Sequence, residues 1–149
     1  MTDSTVLLPE LAWTGDRFEP GWAIEIRSDG RLGEVGPSGD DRIAGAQSLT
    51  RTAVLPGFVS AHSHAFQRGL RGRGETFRTG AGSFWSWREA MYELVDTLDP
   101  ERTRALSCQA FTEMRAAGIT TVGEFHYVHH GSEEPDFALD REVLAAARE

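Results

Sequence analysis

The stretch that decides the fold is LPGFVSAHSHAFQRGLRG, residues 55–72. It continues an apolar run, AVLPGFV at residues 53–59, whose density is typical of a short strand covered on both faces. A Pro-Gly pair inside the run must bend or interrupt that strand. Because the run leads directly into His62 and His64, the pattern predicts a buried strand that ends in two histidines.

His62 and His64 are candidate metal ligands. On an extended backbone, side chains two positions apart project to the same side, so both imidazoles could reach one ion. Zinc binds neutral imidazole nitrogen at about 2.0–2.1 Å, and a catalytic zinc keeps one position open for water whose pKa falls toward about 7. A bare His-x-His is weak evidence, and two surface or helix-capping histidines are the alternative interpretation.

Two helices are predicted after the histidines. Residues 83–97 are aromatic and then helix-like, and a second helix is predicted from Asp99, which is followed by proline and glutamate. The second helix is expected to end near Ala117, because Gly118 follows it. Four residues at helical spacing form its expected apolar face: Leu106, Ala110, Met114 and Ala117.

Strands are predicted after this helix and near the start of the chain. Residues 119–125, ITTVGEF, are rich in β-branched side chains. Residues 22–35 alternate apolar and polar side chains around Asp29-Gly30, which predicts a β-hairpin. Residues 140–149 have the pattern of a further helix. The order favours an α/β domain with a parallel sheet, preceded by the hairpin.

Composition limits the classes of function and partner. The 149 residues carry a formal charge of −8, with 15 arginines and no lysine, which argues against nucleic acid as a partner. Cys108 is the one cysteine, which excludes an internal disulfide and fits a reducing cytoplasm. The first ten residues lack the features of a secretion signal, and no stretch approaches the roughly 18 apolar residues of a membrane span.

One segment carries a charge opposite to that of the rest. Between Ala61 and Ala90 there are five arginines and two acids, a charge of +3 in a chain that is otherwise −11. Guanidinium groups bind carboxylates in a bidentate fork, so the segment is a candidate anion site for a small acidic substrate. A solvated, arginine-rich loop is the simpler interpretation.

Several motifs resemble one protein family. The stretch at residues 55–72 is similar to the first metal-binding strand of the amidohydrolase superfamily. Three motifs, HAFQRG at 64–69, SFWSWRE at 83–89 and EFHYVHH at 124–130, are similar in the same order to the N-formimino-L-glutamate deiminase family. The resemblance covers most of the chain from Leu55 onward; the earlier part matches only through its hairpin and its position.

The resemblance implies an incomplete barrel enzyme. Residues 1–54 would be part of a small β domain and residues 55–149 the start of a metal-dependent (β/α)8 barrel, which needs about 250 residues and carries its catalytic groups at the C-terminal ends of its strands. The family takes its other metal ligands and its acid/base group from later strands. We therefore expect a truncated chain that holds zinc weakly and is inactive alone, whereas a full-length enzyme could be homodimeric.

The resemblance also implies residue roles. The family converts N-formimino-L-glutamate to N-formyl-L-glutamate and ammonia in histidine degradation, with one divalent metal, expected to be Zn²⁺. His62 and His64 match its metal ligands, whereas Gln67, Arg88 and Tyr127 match positions that contact the substrate. Each has a structural alternative: Gln67 could begin a helix, Arg88 could stack on an indole and pair with an acid, and Tyr127 could end a strand with its hydroxyl in water.

Other conspicuous residues are interpreted as structural. The family has no metal ligand on its second strand, so the remaining histidines are expected in loops or behind the ligands. They are His126, His129 and His130. The aromatic side chains of Phe84, Trp85 and Trp87 are expected to pack rather than to stack on a ligand.

Two other functions stay open. One is a superfamily deaminase that acts on a purine or triazine ring, although a neutral ring does not call for an arginine-rich segment. The other is a non-catalytic metal-binding or interaction module that pairs an exposed sheet edge with a partner.

Overall fold

A computed structural model describes residues 4–73, 84–130 and 137–149, and its contacts divide the chain into two units, Met1–Pro56 and Gly57–Glu149. The elements in chain order are β1 Thr5–Trp13, β2 Phe18–Glu19, β3 Trp22–Ile26, β4 Leu32–Pro37, α1 Asp40–Ile43, β5 Gln47–Val54, β6 Phe58–Ser63, a 3₁₀ helix Ala65–Leu70, α2 Phe84–Val95, α3 Pro100–Ala116, β7 Ile119–Glu124 and α4 Ala138–Ala146. None of the helices in the described ranges is both long and apolar enough to cross a bilayer.

The first unit is a mixed sheet built around β1. Strands β2 and β3 pair with β1 in antiparallel orientation, β5 pairs with it in parallel, and β4 pairs with β3. The predicted hairpin is confirmed, because Trp22 pairs with Pro37 and Ile26 with Leu32. Gly30 in the connecting loop has a φ of +78°, a conformation that glycine adopts without steric cost.

The apolar run at residues 53–59 is divided between the two units. β5 ends at Val54 and β6 begins at Phe58, so the Pro-Gly pair interrupts the run as expected. The prediction that both faces are covered is wrong for this chain, because Phe58 is 55% exposed and Val59 is 68% exposed. Among the described residues β6 pairs with β7 alone, and a parallel strand is buried only where further layers cover its sheet.

The second unit contains the predicted order of strand, helix and strand. β6 and β7 pair in parallel, with Phe58 opposite Ile119. The helix predicted from Asp99 is confirmed as α3, and the Asp99 side chain accepts a hydrogen bond from the Arg102 amide at 2.7 Å. It ends before Gly118, whose φ is +84°. The helix predicted near residues 83–97 is confirmed as α2, although residue 83 lies outside the described residues.

The buried face of α3 is rotated from the predicted one. Ala110 is buried as expected, but Ala117 is exposed, and the most deeply buried α3 side chains are Thr103 and Ser107, both 0% exposed. The helix α4 packs against α3, and small side chains allow two helices to approach closely. Neither hydroxyl has a hydrogen-bond partner within the described residues. Because both residues are polar, a search for apolar residues at helical spacing could not locate this face.

The core of the second unit lies between the 3₁₀ helix, α2 and α4. Its buried side chains are Phe66, Leu70, Met91, Leu94, Leu98 and Leu139. Trp87 packs against this cluster as expected. Phe84 and Trp85 are instead 63% and 65% exposed, so the expectation of packing is wrong for these two residues. They lie in the first turn of α2, one turn before the residues that reach the core.

Gly123 marks a close approach of β7 to β6. A Cβ atom at this position would lie 2.8 Å from the Ala61 carbonyl oxygen, a backbone atom that cannot rotate away. We therefore expect Gly123→Ala to lower the free energy of unfolding of the second unit by about 1–3 kcal/mol. Urea denaturation measures this change. Gly36→Ala in β4 is the control, because its Cβ would meet Arg42 at an ordinary 3.7 Å; equal losses in the two variants would contradict the steric explanation.

Candidate metal centre

The end of β6 brings two imidazole rings together. The Nε2 atoms of His62 and His64 are 3.0 Å apart, and the ring planes are nearly perpendicular, at 86°. His62 is exposed and His64 is half-buried, whereas Ser63 between them is buried. The alternation that the sequence predicts therefore places both ring nitrogens on one side of the strand.

The orientation of His64 is set by the neighbouring strand. Its Nδ1 atom lies 2.7 Å from the carbonyl oxygen of Phe125, just after β7. A carbonyl oxygen only accepts, so Nδ1 must carry the proton, and Nε2 then presents its lone pair toward His62. Metal-binding histidines in proteins are commonly held in this way, with the second ring nitrogen donating to a carbonyl or a carboxylate.

The pair fits zinc as half of a ligand set. Two nitrogens that share a tetrahedral zinc at about 2.0–2.1 Å lie about 3.3 Å apart, so a small adjustment of the observed 3.0 Å would suffice. Within the described residues no group of three or more histidine, cysteine, aspartate or glutamate side chains is arranged to hold a metal. Two histidines alone are a weak site, because structural and catalytic zinc have at least three protein ligands.

Gln67 and Tyr127 form a second part of the site. Gln67 Nε2 donates a hydrogen bond to the Tyr127 hydroxyl at 2.8 Å. The Tyr127 ring meets the His64 ring edge to face, with 5.1 Å between centroids, and meets Phe66 in the same way at 5.3 Å. Tyr127 is half-buried and partnered, so the alternative of a strand-end tyrosine with its hydroxyl only in water does not describe it. Four of the five predicted site residues thus lie in one cluster.

The fifth predicted residue, Arg88, makes its described contacts within α2. Its Nε atom donates to the Tyr92 hydroxyl at 2.7 Å, and its guanidinium lies over the rings of Tyr92 and Trp85, 5.1 and 5.7 Å from their centroids. This arrangement resembles the structural alternative of stacking on an indole. No contact between described residues links Arg88 directly to His62 or His64.

Two arginines of the arginine-rich segment form ion pairs with α3. Arg68 makes a two-pronged hydrogen bond to Glu113 at 2.7–3.1 Å, and Arg71 pairs with the same carboxylate at 3.4 Å. Hydrogen bonding from Arg68 lowers the pKa of the Glu113 carboxyl, which therefore stays ionised at neutral pH. Arg78 lies outside the described residues. The interpretation of the whole segment as an anion site is too broad, because these two guanidinium groups already have a carboxylate partner.

Glu124 is the residue of this region that sequence reasoning missed. It pairs with Ser63 at the end of the parallel strands, and its Oε1 atom accepts a hydrogen bond from the Ala65 amide at 2.7 Å. Its Oε2 atom is buried and has no hydrogen-bond partner among the described residues. The available signal was an acid at the end of the second strand, where the carboxyl ends of parallel strands bring residues together.

The described contacts of His126 and His129, two of the remaining histidines, involve neither His62 nor His64. His129 Nδ1 is 3.0 Å from Asp140 in α4, and both ring nitrogens of His126 are buried without a partner among the described residues. The His126 ring packs edge to face against Phe66, with 6.2 Å between centroids. These contacts place His126 against the core rather than beside the Nε2 pair.

Residues 53–149 match the model of the amidohydrolase family. The chain belongs to the amidohydrolase family. This amidohydrolase is 46% identical over 127 residues to the formimidoylglutamate deiminase of Pseudomonas aeruginosa, a match that covers 83% of the chain and 27% of the deiminase. The chain therefore spans little more than a quarter of that relative.

Two solved structures share the fold. One from Brucella melitensis is 33% identical with a TM-score of 0.78, and the match covers 97% of this chain and 32% of that one. An adenosine deaminase from Xanthomonas campestris with bound zinc is 18% identical with a TM-score of 0.66, over 97% of this chain and 31% of that one. The α/β fold class is confirmed, and the described residues contain the two-stranded parallel sheet β6–β7 rather than a closed barrel.

Proposed function

We propose that this amidohydrolase chain supplies two metal ligands and part of the substrate site of a zinc-dependent deiminase. The reaction would consume N-formimino-L-glutamate and water and release N-formyl-L-glutamate and ammonia, a step of histidine degradation. The observation that carries the proposal is the pair of Nε2 atoms of His62 and His64, 3.0 Å apart. The 46% identity to the Pseudomonas deiminase supports the choice of substrate.

The two histidines are the residues that would hold the metal. Their ligand atoms are neutral imidazole nitrogens, which suit zinc, and the further ligands would come from other parts of the functional enzyme. A zinc ion bound there supplies a water that is nucleophilic at neutral pH. The chain itself contributes the orientation of the ring nitrogens, which depends on the contact of His64 with the Phe125 carbonyl.

Gln67 and Tyr127 would bind the polar end of the substrate. Because Gln67 donates to the Tyr127 oxygen, the Tyr127 hydroxyl proton stays available to a substrate oxygen or nitrogen. The ring of Tyr127 lies against His64, so a group bound by this hydroxyl would lie next to the metal pair. Arg88 would clamp a substrate carboxylate, since its guanidinium stays charged and is a poor proton carrier.

The proposal also includes the wider organisation. Residues 1–54 would be part of a small β domain and residues 55–149 the first part of the (β/α)8 barrel, in a cytoplasmic enzyme that could be homodimeric. The isolated chain would be inactive, because the described residues offer two metal-binding histidines and no third ligand beside them.

A chimera with the relative tests the function. Residues 1–149 would replace the corresponding N-terminal part of the Pseudomonas deiminase, and ammonia release from N-formimino-L-glutamate would be measured. We expect activity in the chimera, none in the chimera with His62→Ala, and none in the isolated chain. A folded, zinc-loaded chimera that releases ammonia from a purine but not from N-formimino-L-glutamate would instead support the ring deaminase.

Arg88→Lys tests the carboxylate clamp in the same chimera. Lysine keeps the charge but lacks the bidentate fork, so we expect kcat/KM to fall. The fall should correspond to a loss of about 1.5–3 kcal/mol of transition-state stabilisation, and the zinc content should not change. The loss should shrink for a substrate analogue that lacks the clamped carboxylate. An equal loss on both substrates, or loss of zinc, would assign Arg88 a structural role, as its contacts with Trp85 and Tyr92 allow.

A further inference from the structure

Three hydrogen bonds from the end of β7 hold the segment that contains His64. The Glu124 carboxylate accepts from the Ala65 amide at 2.7 Å, and the Phe125 amide donates to the Ser63 carbonyl at 2.8 Å. The Phe125 carbonyl accepts from His64 Nδ1 at 2.7 Å. Residues 63, 64 and 65 are therefore each tied to one of two consecutive residues of the neighbouring strand.

Glu124 caps the first amide of the 3₁₀ helix from the neighbouring strand. His64 is the N-cap of the 3₁₀ helix, and its side chain makes no capping hydrogen bond. Even serine, threonine, aspartate or asparagine at such a position would accept from the second or third amide of the helix rather than from the first, that of Ala65. The Ala65 amide therefore needs an acceptor from elsewhere in the chain, and Glu124 supplies it across 59 residues of sequence.

The second oxygen of the Glu124 carboxylate, Oε2, is buried without a hydrogen-bond partner among the described residues, which packing alone does not explain. A buried acceptor without a partner is costly and uncommon in folded proteins, so a carboxylate at this position requires an explanation.

We propose that Glu124 is a positioning residue for the metal pair. By holding the Ala65 amide, it fixes the backbone that directs His64 Nδ1 to the Phe125 carbonyl and His64 Nε2 toward His62. This role requires a side chain long enough for its oxygen to accept from the Ala65 amide. A shorter side chain should therefore abolish the role, whereas an uncharged side chain of equal length should largely preserve it. The inference rests on the proposed function only in naming zinc as the ion that the pair binds.

Two conservative variants separate reach from charge. Glu124→Asp keeps the charge but withdraws the oxygen by one methylene, and Glu124→Gln keeps an oxygen at the same reach but removes the charge. Glu113→Asp is the matched control, because it shortens another acidic side chain by one methylene. Glu113 contacts the same 3₁₀ helix through Arg68, and it makes no described contact with residues 62–65.

Metal-free NMR gives the first readout. Nitrogen-15 shifts of His64 report which ring nitrogen carries the proton, and hydrogen exchange reports the protection of the Ala65 amide. We expect the Nδ1–H form and a protected amide in the wild type, in Glu124→Gln and in Glu113→Asp. In Glu124→Asp we expect a mixture of tautomers and an amide that exchanges at least about tenfold faster.

Zinc titration gives the second readout. We expect Glu124→Asp to weaken zinc binding by about 10–100-fold, the usual effect of removing a residue that orients a ligand, and Glu124→Gln to weaken it less than about tenfold. A folded Glu124→Asp chain with the wild-type tautomer and affinity would overturn the inference, as would equal changes in Glu113→Asp. If His62→Ala and His64→Ala leave zinc binding unchanged, the proposed function fails. The tautomer of His64 in the Glu124 variants still decides whether Glu124 positions that ring.

Discussion

Phe66→Ala is expected to lower the free energy of unfolding of the second unit by about 3–5 kcal/mol, the usual range for removing a fully buried phenylalanine. Phe66 is 0% exposed and belongs to the core cluster. Its ring meets Tyr127 and His126 edge to face, at 5.3 and 6.2 Å between centroids, so the substitution leaves a cavity and removes two aromatic contacts.

Urea denaturation followed by circular dichroism measures this loss. Phe84→Ala is the control, because Phe84 is 63% exposed, and we expect it to change the free energy by less than about 0.5 kcal/mol. If Phe66→Ala does not fold, Phe66→Leu should fold with a smaller loss. A loss below about 1 kcal/mol in Phe66→Ala would show that the core lies elsewhere.

His64→Ala is expected to weaken zinc binding to the chain by more than about 100-fold, because removing a ligand should exceed the 10–100-fold effect of removing a residue behind it. His62→Ala should have a similar effect, since the two Nε2 atoms form one site. Binding in the wild type should itself be weak, because zinc sites normally have at least three protein ligands.

Calorimetric titration with zinc provides the measurement. His129→Ala is the matched control, because this histidine pairs with Asp140 and makes no described contact with His62 or His64. It should leave zinc affinity unchanged. Tight binding that persists in His64→Ala, or that is lost in His129→Ala, would move the metal site away from the end of β6.

The site and the core of the second unit share residues. Tyr127 packs against the core cluster and also accepts the hydrogen bond of Gln67 beside His64. Phe66 lies two positions after His64 and contacts the same tyrosine. The candidate site is therefore built on packed side chains, and such support restricts the rotamers of the residues that bind. Substitutions in this part of the core should alter zinc or substrate binding together with stability.

The sequence by itself determined the local elements and the histidine pair. The hairpin around Gly30 follows from alternation and a turn signal, and α3 follows from the capping group of Asp99 and the stop at Gly118. The proximity of His62 and His64 follows from the two-residue period of a strand. These features could be predicted because each depends on the conformation of adjacent residues.

Only the tertiary structure decided which distant residues meet. Gln67 bonds Tyr127 and Ala65 bonds Glu124 across about 60 residues, and these contacts depend on how α3 returns the chain and on the register of β7 against β6. The packing of α3 also places Glu113 beside Arg68. This arginine, a candidate for binding an anion, therefore forms an ion pair within the fold. Local patterns do not contain that register, because it is set by the packing of helices and strands against one another.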